Sequence, residues 1–138
     1  MIVADASVII AALLPEKDSE TARAVVVGED CIAPDLIVSE CVNALWKSVR
    51  LGRILPAEAE LARQALKSLG IRLEPSEALA ARTLELAIAL AHPAYDCFYL
   101  ALAEARRVPM ITQDGNLLRK IRDDVTTATV RLLGEPLP

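Results

Sequence analysis

Residues 2–14 read "IVADASVIIAALL". Ile2, Val3 and Ala4 form a strand candidate, and Ala6 to Leu14 is an apolar run broken only by Ser7. Asp5 stands between the two. A carboxylate there costs several kcal/mol if it is desolvated and unpaired. It either caps a helix or does chemistry, and the stretch by itself leaves both readings open. The decision lies in whether the rest of the chain places other carboxylates in equivalent positions.

Outward from this stretch, strand and helix signals alternate. Asp5 or Ser7 caps the helix that follows, and Pro15 ends it. Residues 18–27 carry helix-start residues, with Gly28 as the stop. Residues 31–33 form a short strand closed by Pro34. Residues 35–52 are helical, with Leu36, Val38, Val42, Leu45, Trp46 and Val49 recurring at three- and four-residue intervals. Residues 56–70 open with Pro at the first helical position and close on Gly. Residues 71–74 alternate like a strand. Residues 75–91 form a helix with a capping-box-like start, and 94–107 form another. Residues 108–112 are a strand, 114–123 a helix and 127–132 a final strand. This alternation predicts an α/β fold with a parallel sheet covered by helices on both faces. In such sheets ligands bind outside the carboxyl ends of the strands, where the strand order switches.

The totals agree. At 138 residues the chain is the size of one domain. It is 54% apolar but only 3% aromatic, so its core is built from Ala, Leu, Ile and Val. A net charge of −4 excludes nucleic-acid binding through bulk charge, so contact with RNA or DNA needs a metal ion or a basic partner to offset repulsion. Cys31, Cys41 and Cys97 are odd in number, lack any CxxC spacing and sit among apolar residues. They read as buried free thiols in a reducing compartment. No basic segment precedes the first apolar run, and no window approaches 18 uncharged apolar residues. The cytoplasm is the expected location.

Asp5 falls at the carboxyl end of the first strand. Asp114 repeats the arrangement: "MIT", Gln113, the acid, then a helix. Each also suits a helix N-cap. Glu40 and Asp96 resist that reading. They sit in "LIVSECVNALW" and "AYDCFYLALA", apolar on most sides, with no Lys or Arg three or four residues away. Surface acids on helices come with a polar face, as Glu58, Glu60 and Arg63 do. Four converging carboxylates repel one another unless a cation lies among them. An all-oxygen set favours Mg²⁺ or Mn²⁺ over Zn²⁺ and suits phosphate chemistry.

The segments "IVADASVIIAALLPE", "APDLIVSECVNALWK" and "HPAYDCFYLALAEARRVPMITQDGNLLRKI" occur in an order that resembles the PIN-domain ribonucleases, in particular the VapC-type toxins of type II toxin–antitoxin systems. The resemblance implies a single PIN domain over 1–138, a three-layer α/β/α fold with a central, mainly parallel sheet. It matches Asp5, Glu40, Asp96 and Asp114 to an acidic metal-binding set, and Ser7 and Thr112 to the hydroxyls that flank it. It implies hydrolysis of RNA phosphodiester bonds with Mg²⁺ or Mn²⁺, a homodimer, and silencing by a cognate antitoxin. Asn116 stands where some family members carry another acid. An Asx turn is the simpler reading there, and metal or water binding the other.

The remaining candidates are weaker. His92, the only histidine, reads as a loop or helix-end residue rather than a base. Trp46 reads as core or a dimer contact. Lys47, Arg50 and Arg53 form a basic patch beyond Glu40, and Arg119 to Arg122 another beyond Asp114. Either suits an RNA backbone or a solvated face. The aliphatic surface of 35–52 and 56–70 favours a symmetric dimer. Two other classes remain. A catalytically silent PIN-like binding module is one, although all four acids are present. A receiver-like phosphoacceptor is the other, although it calls for adjacent acids after the first strand and a Lys after the last.

Overall fold

The computed structural model describes residues 1–137. Five strands and seven helices alternate along it. They are β1 (Ile2–Ala4), α1 (Ala6–Leu13), α2 (Ser19–Gly28), β2 (Cys31–Pro34), α3 (Ile37–Arg50), α4 (Pro56–Ser68), β3 (Arg72–Glu74), α5 (Ser76–Leu90), α6 (Ala94–Arg106), β4 (Met110–Thr112), α7 (Gly115–Lys120) and β5 (Val130–Leu132).

The strands form one sheet in the order β3-β2-β1-β4-β5, every pair parallel. The central β1 is buried along its whole length, which is why it reads as an unbroken apolar triplet. In one layer α1 packs on α2, α3 and α4; in the other α6 packs on α5 and against β1, β2 and β4. This is the expected three-layer α/β/α arrangement. α6 seats closely because its buried face includes Ala101 and Ala103 beside Cys97, Tyr99, Leu100 and Leu102.

The chain moves from β1 outward to β2 and β3, then crosses back to pair β4 with the other side of β1. The order therefore switches between β1 and β4, and the crevice outside their carboxyl ends is the ligand position in open parallel sheets. Asp5 follows β1 directly, and Asp114 follows β4 by two residues.

Several local expectations are corrected. Pro34 belongs to β2, opposite Glu74. It has no N–H for the ladder, and Asp35 supplies the next bond, donating to the Glu74 carbonyl at 2.8 Å. Ser76 forms no capping box. Its hydroxyl donates to Asp35 at 2.5 Å, tying the start of α5 to the end of β2. α7 spans only Gly115–Lys120.

The largest correction concerns α3. Its buried stripe is Ile37, Cys41 and Leu45, while Val38, Val42 and Trp46 lie one position over and face outward. Trp46 is 58% exposed and so is not a core residue. The three cysteines are free and buried. Burial pushes the Cys31 and Cys97 thiols up to about 11 and Cys41 to about 12, so none supplies a thiolate nucleophile at neutral pH. Among the described residues no single helix is long and apolar enough to cross a membrane.

Candidate active site

Asp5 is the N-cap of α1, its Oδ1 accepting from the Val8 amide at 3.3 Å and from the Ser7 hydroxyl at 2.5 Å. The Thr112 hydroxyl donates to its other oxygen. Thr112 in turn accepts from the Asp114 amide at 2.9 Å, and Ser7 accepts from the Gln113 amide at 3.1 Å. Ser7 and Thr112 thus stitch the end of β1 to the end of β4. Asp5 is buried, and desolvation raises its carboxyl pKa, opposed by these hydrogen bonds and reinforced by the charge of Asp96.

Asp114 caps α7, accepting from the Asn116 amide at 2.8 Å and the Leu117 amide at 3.3 Å. The cap reading therefore holds for Asp5 and Asp114, and it leaves both at the carboxyl ends of β1 and β4. Capping pins one oxygen of each carboxylate and sets the orientation of the other.

Asp96 projects from the first turn of α6. Its Oδ2 accepts from His92 Nε2 at 2.6 Å, and the same nitrogen lies 3.9 Å from an Asp114 oxygen. One ligand atom from each of His92, Asp96 and Asp114 falls within 4.8 Å of the others. Burial raises the Asp96 pKa; His92 lowers it and Asp114 raises it further.

Glu40 reaches in from α3, its Oε1 accepting from the Tyr99 hydroxyl at 2.6 Å. Burial raises its pKa first, and the charges of Asp96 and Asp5 add to that. The Tyr99 hydroxyl is itself buried and held far above its ordinary pKa, so it stays a donor. Asp96 thus acts electrostatically on Asp5 and Glu40 and sits beside Asp114, while the ligand atoms within 4.8 Å of one another come from His92, Asp96 and Asp114. Among the described residues none of the four acids pairs with a Lys or Arg.

Two participants escaped the sequence reading. His92 does lie in the α5–α6 corner, after Ala91 with φ of 49°, but its ring is buried and bound to Asp96. With the Nε2 proton directed at a carboxylate, its Nδ1 is a buried atom without a partner. The available signal was spacing: His92 is four residues before Asp96, one helical turn away. Tyr99, three residues after Asp96 on α6, carried no local signal because its partner Glu40 is 59 residues away.

The supporting candidates divide. Asn116 supplies its amide N–H to Asp114, and its carboxamide oxygen accepts from Arg119, an arrangement closer to the Asx-turn reading. Lys47, Arg50 and Arg53 lie exposed, Lys47 and Arg50 on the C-terminal half of α3 and Arg53 just beyond it, with no ion pair among the described residues. Arg119 and Lys120 line a cleft of about 490 Å³ with His92, Asp96, Asp114 and Asn116.

The donor set fits a divalent cation. Asp5, Glu40 and Asp96 all have raised pKa values through burial and mutual repulsion, and no guanidinium or ammonium compensates them. Carboxylate oxygens suit a hard cation.

A doubly covered parallel sheet with acids at its switch point defines the class of protein, and sequence comparison gives the family. Residues 2–123 match the PIN domain, and the chain belongs to that family. It is 34% identical over 117 residues to VapC ribonuclease Mb0985 of Mycobacterium bovis, covering 85% of this chain and 88% of that protein. It is also 34% identical over 128 residues to Ribonuclease VapC3 of Pyrobaculum aerophilum, covering 91% and 98%. The crystal structure of PAE2754 from Pyrobaculum aerophilum superposes with a TM-score of 0.68 at 26% identity, covering 94% of this chain and 87% of that one.

Proposed function

We propose that this protein is a metal-dependent endoribonuclease, the toxin of a toxin–antitoxin pair, whose residues 1–138 form one PIN domain. The observation that carries the reading is that Asp5, Glu40 and Asp96, each raised in pKa by burial, lie within electrostatic reach of one another, with Asp114 beside Asp96 and, among the described residues, no Lys or Arg paired with any of the four. Similarity to proteins named VapC ribonucleases supports RNA as the substrate. The four acids are the metal-binding and catalytic residues, and Mg²⁺ or Mn²⁺ is the cation. Bound there, it lowers the pKa of a water and offsets charge on the phosphate.

The chain's own residues do the positioning. Ser7 and Thr112 hold Asp5 through both oxygens, and Tyr99 holds Glu40 through one. Asn116 supports Asp114 through its amide. Lys47, Arg50 and Arg53 contact the RNA backbone, adding positive charge on the α3 side to that of Arg119 and Lys120 in the cleft.

The protein works in the cytoplasm as a homodimer with an antitoxin partner. Exposed apolar surface supports both associations: Leu84 and Ile88 stand one turn apart on α5. A groove of about 500 Å³ lined by Ile37, Val38, Val42, Leu66, Ile71 and Leu73 offers an apolar segment a seat. The test is cleavage of a circular RNA, which has no ends for an exonuclease. Incubation with Mg²⁺ or Mn²⁺ should linearise it, and EDTA should stop the reaction. Intact circles under all three conditions would remove the endonuclease reading.

A further inference from the structure

The solvent face of α3 has no role in the acid cluster. Val42, Asn43, Trp46, Lys47 and Arg50 are all exposed along it, while Cys41 and Leu45 face the core. Trp46 is the chain's only tryptophan, and 58% of it is left in water. The Arg50 guanidinium, one turn further on, sits 5.3 Å from the centre of its ring. That contact fixes a flat aromatic surface on the protein exterior. Arg63, Arg72, Arg82, Arg106 and Arg122 are each bound by a carboxylate. Among the described residues Lys47, Arg50 and Arg53 are not, and residues 41–57 contain no Asp or Glu, so this end of α3 is locally positive in a chain of net charge −4.

α3 also carries Glu40. Trp46 is six residues beyond it, about 9 Å along the helix axis and roughly 120° round it, a separation that a strand of a few nucleotides spans by following the helix surface. An exposed aromatic flanked by unpaired cations is the combination that holds single-stranded nucleic acid: the ring takes a base and the cations take its phosphates. A protein partner would also cover an indole, and Trp and Arg are common at protein interfaces, but a phosphate strand is the occupant that uses Lys47, Arg50 and Arg53 together with the ring.

We propose that Trp46 is a base-stacking platform for the RNA substrate. It receives a nucleobase one to three nucleotides from the scissile phosphate, with Lys47, Arg50 and Arg53 on the flanking phosphates. The proposal rests on the ribonuclease reading and adds a subsite to it. Stacking takes any base, so Trp46 selects for unpaired strand rather than for sequence.

The ring reports on itself, because tryptophan emission from this protein comes from Trp46 alone. The full-length protein is titrated with a fluorescently labelled 2′-O-methyl phosphorothioate single strand in millimolar Mg²⁺, following indole emission and label anisotropy together. The expected result is quenching that tracks binding. Trp46→Phe should stay within a few-fold of the parent. Trp46→Ala should bind about 5- to 150-fold more weakly, the range of a lost base–aromatic stack. On cleavable RNA, Trp46→Ala should raise KM with kcat retained. Binding without quenching, or Trp46→Ala binding as tightly as the parent, overturns the subsite and leaves the nuclease reading standing. A blue shift of emission with protein concentration, matched by dimer in sedimentation, overturns it in favour of a second copy covering the ring. Failure of the parent both to bind the strand and to cleave RNA overturns both readings together.

Discussion

Glu104 and Asp5 are both carboxylates drawn out of bulk water, and the protein treats them in opposite ways. Glu104, on α6, accepts two hydrogen bonds from Arg82 at 2.8 and 2.9 Å and one from the Thr126 hydroxyl at 2.6 Å. Those partners, Arg82 first, hold its pKa below the ordinary glutamate value. Asp5 is given hydroxyls and an amide but no cation, and its nearest charged influence is Asp96, another acid. One cluster is electrostatically complete. The other has no Lys or Arg paired with it among the described residues, and in the proposed function a cation supplies that charge.

The sharpest way to break this comparison is to neutralise each acid in turn. Asp5→Asn should lower RNA cleavage by about 100-fold or more. Its unfolding temperature in EDTA should be unchanged or raised, because repulsion has been removed. Glu104→Gln should cleave at the parental rate. An Asp5→Asn protein of parental activity would refute the division.

His92 tests how finely the incomplete cluster is organised. It holds Asp96 Oδ2 through Nε2, leaving the other oxygen for a cation. His92→Leu should weaken Mn²⁺ and Mg²⁺ binding by about 10- to 100-fold, as loss of a group that orients a ligand does. His92→Gln, which keeps a donor, should recover part of that. Calorimetry reads both. Loss of Mn²⁺ binding alone would make His92 a ligand rather than an orienting group, since nitrogen donors favour Mn²⁺ over Mg²⁺.

The complete cluster should show itself in stability. Glu104→Gln leaves Arg82 with weakened pairing. Because the Arg82 side chain is 42% exposed, water recovers part of the loss, and the cost should be about 1–2 kcal/mol in urea unfolding. A cost near zero would mean that the pairing contributes nothing.

The smallest effect is in pH, and its sign differs between the clusters. The folded pKa of Glu104 is depressed below 4.5, so its stabilisation is present above the unfolded value and is lost as pH falls through the folded one. Asp5, Glu40 and Asp96 have raised folded pKa values. Their penalty is complete above those values and is relieved as pH falls towards the unfolded range of 3.8 to 4.5. In EDTA, the difference between parent and Asp5→Asn stability should therefore narrow on acidification, while that between parent and Glu104→Gln also narrows but only at lower pH. Mg²⁺ should abolish the first trend and leave the second.

Much of this was legible in the sequence. Asp5 and Asp114 announced themselves because strand, acid and helix follow one another within a few residues. Glu40 and Asp96 did so because each lacks a basic neighbour at helical spacing. What escaped were relations the local pattern does not carry. The recurrence in α3 identified apolar residues but not which of two stripes, offset by one residue, faces the core; only packing on α1 and α4 decides that. Tyr99 meets Glu40 across two helices. His92 meets Asp96 through one ring nitrogen at a helix corner, a contact that the apolar pattern on either side of it does not encode.

The bond from Thr112 to Asp5 joins residues 107 positions apart. During synthesis at about 5–20 residues per second, roughly 5 to 20 s separate the appearance of Asp5 from that of Asp114. Throughout that interval β1 lacks β4, and the acids at its end lack half their company. The interleaved strand order keeps the ends of β1 and β4 apart until residue 114 has been made.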